Sequence, residues 1–424
     1  MAKISRIWAR EILDSRATPT IETACQLDNG MVAVASVPSG ASTGSYEALE
    51  LRDGDTSRFL GKGVLSAVNN VNTILGPAIV GMDISDQWSI DAKLLSLDGT
   101  ENKSKMGANA ILSISEVVVK AAAMALNVPL YIWVNKLAIA KGITATLHTP
   151  TPLFNMINGG LHGAGNLDFQ EFFVIPASSK NYSDGLRLGV EVYTTIGKNL
   201  ARRGAIHSVG DEGGYAPNLF TNADALEILV EAIRETTYQL GRDVFLGLDV
   251  AASTFYKAGA YTIRDKSTPM NELGMIEFYK ELNGMYHLAV LEDPLNEDAW
   301  SGWQAMHKTF GNTFTIVGDD LLATNPARVK KAIEEDACNA VLIKPNQIGT
   351  ITETLDVIKL ARDAKWKIIV SHRSGETNEF FIADFAVGVG ADHVKFGAPA
   401  RGERVAKYNR LSSIDAELSM QPHS

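Results

Sequence analysis

Side chains that can do chemistry stand at the ends of six short apolar segments in the second half of the chain. From Glu292 to Lys395, such residues recur every 23 to 28 positions, which is about the length of one strand, one helix and two loops. This rhythm predicts βα units, and a parallel barrel gathers the carboxyl ends of its strands at one mouth. The residues that would meet there are Asp249, Glu292, Asp319, Lys344, His372, Arg373 and Lys395.

The acids Asp249, Glu292 and Asp319 are predicted to bind a divalent cation. Mg²⁺ takes oxygen ligands and leaves coordination positions open for the oxygens of a substrate. Three carboxylates at one mouth would repel each other strongly without a cation between them. The alternative is that each acid caps the helix that follows it. Because the acids end three consecutive strands, the pattern favours a metal site.

The two lysines at strand ends, Lys344 and Lys395, are predicted to take part in catalysis. A lysine within an apolar strand is rarely there for packing, because burial of its charge is costly. Nearby positive charge lowers the pKa of a lysine and makes it usable as a base. The alternatives are a lysine whose amine reaches solvent and a structural salt bridge.

The segment 371–375 (SHRSG) offers an imidazole, a guanidinium and a hydroxyl in direct succession, at His372, Arg373 and Ser374. Arginine recognises phosphate or carboxylate through two parallel hydrogen bonds. The segment follows a predicted strand and precedes a helix, and helix N-termini attract anions. These residues therefore predict a phosphate site.

Two glycine-containing segments carry further candidates. The segment 209–217 (VGDEGGYAP) contains Glu212, a candidate general acid, although a solvated acidic turn explains the pattern equally well. The segment 158–162 (NGGLH) contains His162, which is as readily a structural histidine as a functional one. Gln170 and Glu171, at the second predicted barrel strand, make a similar pair with the segment 158–162.

Composition excludes several classes of function. The formal charge of −10 argues against a surface for nucleic acid or anionic membranes, which requires a dense basic face. The two cysteines, Cys25 and Cys338, are too few for a disulfide framework and favour a reducing compartment. No apolar run reaches about 18 residues and no signal peptide is evident, so we predict no membrane span and a cytoplasmic location.

The pattern divides the chain into two predicted domains. Residues 1–138 show three short strands followed by helices, without the βα rhythm, which indicates a smaller α+β domain. Residues 139–424 would form an α/β barrel, with first strands near 152–157 and 172–175. Two helices, near 183–203 and 221–239, precede Asp249. Such a start departs from a regular eightfold alternation.

An ordered set of motifs along nearly the whole chain resembles the enolases. The resemblance implies an atypical (β/α)8 barrel that begins ββαα, preceded by the smaller α+β domain. The sequence departs from the usual enolase pattern at several positions, among them Ala17, where enolases carry glycine. The motifs that carry the resemblance include PSGASTG (38–44), EALELRDGD (47–55), NGGLH (158–162), GDEGGYAP (210–217), EDP (292–294), GDDL (318–321), KPNQIGT (344–350) and SHRSGET (371–377).

The resemblance implies a lyase, phosphopyruvate hydratase, that reversibly dehydrates 2-phosphoglycerate to phosphoenolpyruvate with Mg²⁺. It also implies two Mg²⁺ ions per site, the second arriving with the substrate, and a homodimer or higher homo-oligomer. Asp249, Glu292 and Asp319 match the ligands of the first Mg²⁺. Ser42 matches a loop residue that closes onto the second.

The same resemblance implies roles for the remaining candidates. Lys344 matches the base that takes the C2 proton, and Glu212 matches the acid that protonates the departing C3 hydroxyl, with Glu171 as its partner. The other matches bind or surround the substrate: Lys395 its carboxylate, Arg373 and Ser374 its phosphate, and His162, Gln170 and His372 as lining residues.

Two other readings remain open at this point. The chain could catalyse another metal-assisted proton abstraction, as acid-sugar dehydratases and racemases of the same superfamily do. From a different class, it could be a non-catalytic scaffold or surface-binding protein. The complete set of candidate ligands, base and acid argues against the scaffold, and the PSGASTG, GDEGG and SHRSG motifs argue against the related enzymes.

Overall fold

The N-terminal part of the protein is built on a three-stranded antiparallel sheet. The computed structural model describes residues 2–40, 44, 46–163 and 167–420. Strands β1 (Ile4–Leu13), β2 (Pro19–Leu27) and β3 (Val32–Ser36) lie in that order in the sheet. The turn between β2 and β3 contains Gly30 at φ 86°, a left-handed conformation that glycine adopts without steric cost. The three strands were predicted from the sequence.

Helices cover one side of this sheet, and the central one is α4. Its eighteen residues are apolar on nearly every side, because the sheet, the neighbouring helices and the barrel surround it. Pro129 lies between α4 and the next helix. Proline has no backbone N–H group and cannot continue a helix, so the two helices are separate. The helices are α1 (Leu65–Asn70, continued by a π-helical turn at Val71–Leu75), α2 (Gly76–Ile79), α3 (Gln87–Asp98), α4 (Ala108–Ala125) and α5 (Leu130–Ala140).

Helix α4 is also the one helix, among the residues that the structure describes, with the length and apolar composition to cross a membrane. However, 83% of it is buried inside the protein. A helix that is covered in this way by its own chain is typical of a protein core, and we interpret α4 as a core helix.

The second part is a closed barrel. Strands β4 (Thr151–Pro152) and β5 (Phe154–Asn158) form one extended segment, which pairs with the last strand on one side and with β6 on the other. The sheet is therefore closed, with the order β4-β14-β13-β12-β11-β10-β7-β6-β5. The remaining strands of this sheet are β6 (Glu171–Pro176), β7 (Val244–Asp249), β10 (Leu288–Glu292), β11 (Thr315–Gly318), β12 (Ala340–Ile343), β13 (Lys367–Ser371) and β14 (His393–Lys395), and a separate short hairpin contains β8 (Tyr256–Lys257) and β9 (Ala260–Tyr261).

Strand β6 runs antiparallel to both of its neighbours, whereas the other neighbouring strands of the barrel are parallel. Its first residue, Glu171, therefore pairs with Asn158 at the end of β5 and with Asp249 at the end of β7. The reversal brings the start of β6, instead of its end, to the mouth of the barrel. The sequence predicted the strand but not its direction.

The helices of the barrel pack outside the sheet, and two of them separate β6 from β7. The predicted ββαα beginning and the atypical α/β barrel are thus confirmed. Asn271 caps the α-helix that follows Asp249, Asn325 caps the one that follows Asp319, and the one that follows Glu292 has no side-chain cap, so the predicted metal ligands do not cap these helices. The helices are α6 (Tyr182–Arg202), α7 (Asn222–Arg234), α8 (Glu272–Tyr286), α9 (Trp300–Phe310), α10 (Pro326–Glu334), α11 (Pro345–Ile348), α12 (Ile351–Asp363), α13 (Phe381–Gly388) and α14 (Gly402–Met420).

Candidate active site

The polar and charged side chains of the site lie directly above the apolar side chains that fill the barrel, because side-chain direction repeats every two residues along a strand. A compact cluster of buried side chains fills the interior, and it includes Phe173, Val290, Val317 and Leu342. Side chains two positions apart point to the same face of a strand, so the residues two positions nearer the mouth also face inward. Those residues are Glu171, Glu292, Asp319 and Lys344.

The mouth is a polar cavity that is partly open to solvent. Glu292 lies behind the cavity wall, and Ser42 lies outside the residues that the structure describes. All the other predicted site residues line the cavity: His162, Gln170, Glu171, Glu212, Asp249, Asp319, Lys344, His372, Arg373, Ser374 and Lys395.

Lys395 stands at the centre of the carboxylates. Its Nζ lies 2.8 Å from Asp249 Oδ2, 2.9 Å from Glu292 Oε1 and 3.3 Å from Glu171 Oε1. Burial disfavours the charge on this lysine, but the three carboxylates outweigh burial and raise its pKa well above the usual value. The ring of Phe173 lies 5.2 Å from Nζ and adds a weaker attraction. Lys395 is therefore a fixed positive charge at the mouth.

Lys344 is paired with Asp319 across 2.5 Å between Nζ and Oδ2. Burial lowers the pKa of this lysine, but Asp319 outweighs both burial and the opposing charges of Arg373 and Lys395, so that its pKa is raised. The prediction that neighbouring cations lower the pKa of Lys344 therefore does not hold while Asp319 is paired with this lysine. A cation on Asp319 would remove the attraction that causes the upward shift.

The carboxylates have spare acceptor atoms that fit a divalent cation. Asp249 Oδ1, Glu292 Oε2 and Glu171 Oε2 are buried and have no hydrogen-bond partner. An unpaired buried acceptor is costly, so such atoms in one place point to a missing partner. Burial, followed by the charge of Asp249, raises the pKa of Glu292 well above its usual value, because the charge of Lys395 compensates only in part. Oxygens of Glu292, Asp293 and Asp319 lie within 4.8 Å of one another.

Asp293 uses its oxygens differently from the other acids. Its Oδ1 accepts from the backbone N–H of Asp319 at 3.0 Å, and its Oδ2 accepts from that of Asp320 at 2.7 Å. The residue adopts φ 43°, which is uncommon outside glycine, so the surrounding structure holds it in place. Asp293 therefore braces the turn after β11 and fixes the position of Asp319.

A second group of buried acid–base side chains lies across the mouth. His162 Nδ1 is 3.3 Å from Glu171 Oε1 and 3.5 Å from Glu212 Oε1. Burial raises the pKa of Glu171 to about 7, with a further contribution from the charge of Glu212. Burial alone would raise the pKa of Glu212 as well, but the charge of His162 and the contact of His372 with the carboxylate lower it well below the usual value. In this state a proton resides on Glu171 or His162 rather than on Glu212.

Arg404 fixes the tautomer of His372. The guanidinium is completely buried, and its Nη1 donates to His372 Nδ1 at 2.7 Å. Nδ1 is therefore an acceptor, and the ring proton of the neutral imidazole lies on Nε2, which faces Glu212 Oε2 at 3.3 Å. Burial lowers the pKa of His372 to about 4, which keeps the ring neutral at pH 7. Asn155 Nδ2 donates to the same oxygen of Glu212 at 3.2 Å.

Arg373 and Ser374 follow β13 and form the anion-binding side of the cavity. The guanidinium is nearly buried and contacts Glu47 and Asn346. Burial disfavours its charge, but Glu47 more than compensates, so that its pKa is raised and it stays cationic. Arg373 and Ser374 thus contribute a permanent positive charge and a hydroxyl group to one wall of the cavity.

Several functional contacts were not predicted from the sequence. Asp293 stands within the quoted EDP motif, but the sequence assigned it no role, and Arg404 carried no pattern that distinguishes it from a surface helix residue. Glu47 and Gln347 stand within quoted motifs, but nothing in their spacing shows that they meet at the mouth. Each acts through a contact between segments that are far apart in the chain, which periodicity cannot reveal.

The fold and the site together define a class: a two-domain α/β-barrel protein with carboxylates, lysines and an acid–base pair at the carboxyl ends of its strands. Comparison with models of protein families identifies the family. The model of the enolase N-terminal domain matches residues 4–134, and that of the enolase C-terminal TIM barrel domain matches residues 146–423. The chain belongs to the enolase family, whose members are lyases and generally depend on metal ions.

Proposed function

We propose that the protein is a phosphopyruvate hydratase that reversibly dehydrates 2-phosphoglycerate to phosphoenolpyruvate with Mg²⁺. One observation carries the proposal. A lysine and a carboxylate–histidine group face the same cavity from opposite strands, with Lys395 and acids between them. Dehydration next to a carboxylate requires a base and an acid on either side of one substrate.

Lys344 is the proposed base for the C2 proton. Its nitrogen must be neutral when it accepts the proton, so its ion pair with Asp319 must be weakened first. Binding of a cation by Asp319 would do so, and the charges of Arg373 and Lys395 then favour the neutral amine. The general scheme of a lysine base with magnesium is known for enolase-superfamily sites.

The carboxylates Asp249, Glu292 and Asp319 are the proposed Mg²⁺ ligands. The unpartnered oxygens of Asp249 and Glu292, and the short distance between oxygens of Glu292 and Asp319, support this role. When bound, the metal would supply positive charge for the dianionic product of proton removal. Lys395 contributes a second positive charge that is already in place. Ser42, the proposed ligand of a second Mg²⁺, is outside the described residues, so this part rests on the resemblance alone.

Glu212 is the proposed acid for the departing C3 hydroxyl, with Glu171 as the proton store. His162 lies between the two carboxylates, within 3.5 Å of each. A proton held on Glu171 can thus reach Glu212 through the imidazole. Arg404 holds His372 so that its Nε2–H faces Glu212, which keeps that carboxylate in one orientation.

Arg373 and Ser374 are the proposed phosphate ligands, and Gln170 and the two histidines complete the lining. The phosphate distinguishes this proposal from the related superfamily reactions on acid sugars. An acid-sugar dehydratase would not need a buried arginine and a serine at the end of β13. A homodimer or higher homo-oligomer, a cytoplasmic location and the absence of nucleic-acid partners belong to the same proposal and rest on the resemblance and composition.

We expect the purified protein to form phosphoenolpyruvate from 2-phosphoglycerate only with a divalent cation. The measurement is the ultraviolet absorbance of phosphoenolpyruvate, with Mg²⁺, with excess EDTA, and after Mg²⁺ is restored. EDTA should abolish the reaction, because the carboxylates then revert to their lysine partners. Turnover of phosphate-free hydroxy acids alone would reject the proposal, and so would a rate that EDTA leaves unchanged.

A further inference from the structure

Glu47 contacts the guanidinium of Arg373 from the N-terminal domain. Arg373 Nη1 donates to Glu47 Oε2 at 2.9 Å, and Nη2 donates to Glu47 Oε1 at 3.3 Å. The two side chains expose only 5% and 7% of their surface, so the pair is shielded from water. Two parallel hydrogen bonds from a guanidinium to a carboxylate fix direction as well as distance. The plane of the guanidinium is therefore set by a residue that is more than 300 positions away.

The Glu47 carboxylate is held in turn by two further donors. The backbone N–H of Gly44 donates to Oε1 at 3.0 Å, and Gln347 Nε2 donates to the same oxygen at 3.3 Å. Both oxygens of Glu47 are thus engaged on the protein. Release of Arg373 would leave a buried carboxylate without its counter-charge, which is costly. Glu47 is therefore a fixed support and not a group that an incoming anion easily displaces.

Gln347 connects this support to the metal-binding side of the cavity. Thr324 donates its hydroxyl to Gln347 Oε1 at 2.8 Å, which directs the amide nitrogen to the carboxylates. That nitrogen lies 3.3 Å from Glu47 Oε1 and 3.3 Å from Asp319 Oδ1. The same short helix, α11, also contributes Asn346, whose Oδ1 accepts from Arg373 Nη1 at 3.0 Å. Two sides of the arginine are thus braced.

We propose that Glu47 is a positioning residue for the anion-binding side of the cavity: it holds the Arg373 guanidinium in the orientation in which it binds the phosphate of the substrate. The inference deepens the proposed function and rests on it for the identity of the substrate. Glu47 itself need not touch the phosphate. Its contribution is to orient the guanidinium, although its negative charge also offsets part of the attraction of Arg373 for an anion.

The opposite role would be competition, in which Glu47 occupies Arg373 and hinders the anion. The two roles predict opposite effects when the charge of Glu47 is removed. A positioning residue that becomes an amide presents an N–H₂ group to the donors of Arg373 or Gln347, so the guanidinium loses its orientation and phosphate binds more weakly. A competing residue that becomes an amide releases the guanidinium, and phosphate binds more tightly.

The test compares Glu47→Gln with Glu50→Gln in the full-length protein. Glu50 is a partly buried acid on the same segment, and it accepts a hydrogen bond from Arg52 instead. We expect Glu47→Gln to raise KM for 2-phosphoglycerate about tenfold to a hundredfold, which is the range for a charge-assisted buried hydrogen bond, with a smaller fall in kcat. Glu50→Gln should change KM less than about threefold.

Inorganic phosphate is the second probe, and its binding is followed by calorimetry without any turnover. Glu47→Gln should weaken phosphate binding by a similar factor, and in an Arg373→Met background the same exchange should have no further effect, because no guanidinium is left to orient. Tighter or unchanged phosphate binding in Glu47→Gln would overturn the inference. Failure of the wild type to convert 2-phosphoglycerate would instead count against the proposed function, while the phosphate measurement would still decide the role of Glu47.

Discussion

Replacement of Lys344 by alanine is expected to stop both dehydration and exchange of the C2 proton of 2-phosphoglycerate with solvent. Among the described residues that line the cavity, the other amine belongs to Lys395, which three carboxylates hold, so it cannot take over. General-base catalysis contributes about 10² to 10⁴ in rate, and a very weakly acidic proton calls for the upper end. The measurement is deuterium incorporation at C2 by NMR in D₂O with Mg²⁺, beside the formation of phosphoenolpyruvate.

The matched control for this variant is Lys103→Ala. Lys103 is also buried and ion-paired, with Glu353, but it does not line the cavity. Its loss should leave exchange within a few fold of the wild type, which separates the removal of a base from the removal of a buried lysine. If Lys344→Ala exchanged the C2 proton at the normal rate, the assignment of the base would be wrong.

Replacement of Glu212 by glutamine is expected to block dehydration and to leave exchange of the C2 proton measurable. Glutamine keeps the shape of the side chain and its contact with Asn155, but it cannot pass a proton to the leaving hydroxyl. We expect phosphoenolpyruvate formation to fall by about 10² to 10⁴, the contribution of a general acid. Proton removal by Lys344 takes place across the cavity, so it should fall much less.

The control is Asp211→Asn, which changes the neighbouring acid. The Asp211 side chain forms an ion pair with Arg16 at 2.8 Å and is about half exposed. Both reactions should persist in this variant. Equal losses of exchange and dehydration in Glu212→Gln would contradict the assignment, because the residue would then support the whole site and not the departure of the hydroxyl.

The sequence predicted the barrel and most of the residues at its mouth because both follow from short-range patterns. A strand has a side-chain period of two, and the βα unit has a nearly constant length. The positions of Asp249, Glu292, Asp319 and Lys344 at strand ends follow from these two regularities. The ββαα beginning was visible as two helices before Asp249, and the resemblance to enolases supplied the roles.

The features that the sequence did not predict depend on contacts between distant segments. The direction of β6 is one of them, because an apolar strand looks the same in either direction. The fixed tautomer of His372 depends on Arg404 of the last helix, and the orientation of Arg373 depends on Glu47 of the other domain. Neither contact leaves a periodic trace in the chain.

The protonation states of the buried acids could not be predicted from the sequence either. The resemblance assigned Glu212 as the proton donor, whereas the charge of His162, the contact of His372 and the charge of Arg404 hold the pKa of Glu212 low, and burial raises that of Glu171 to about 7. These shifts depend on distances of a few ångströms between buried groups. Similarly, Ala17 adopts φ 54° at the position where enolases carry glycine, a strain that only the backbone reveals.

The proposed metal site is tested most directly by calorimetric titration of the metal-free protein with Mg²⁺, for the wild type and for Glu292→Gln. We expect saturable binding by the wild type and affinity at least about tenfold lower in Glu292→Gln, because the exchange removes one charged ligand and keeps the shape of the side chain. Asp336→Asn, which changes an exposed acid paired with His307, should bind as the wild type does. Equal Mg²⁺ binding by all three proteins, or none by any of them, would show that the buried carboxylates are not a metal site.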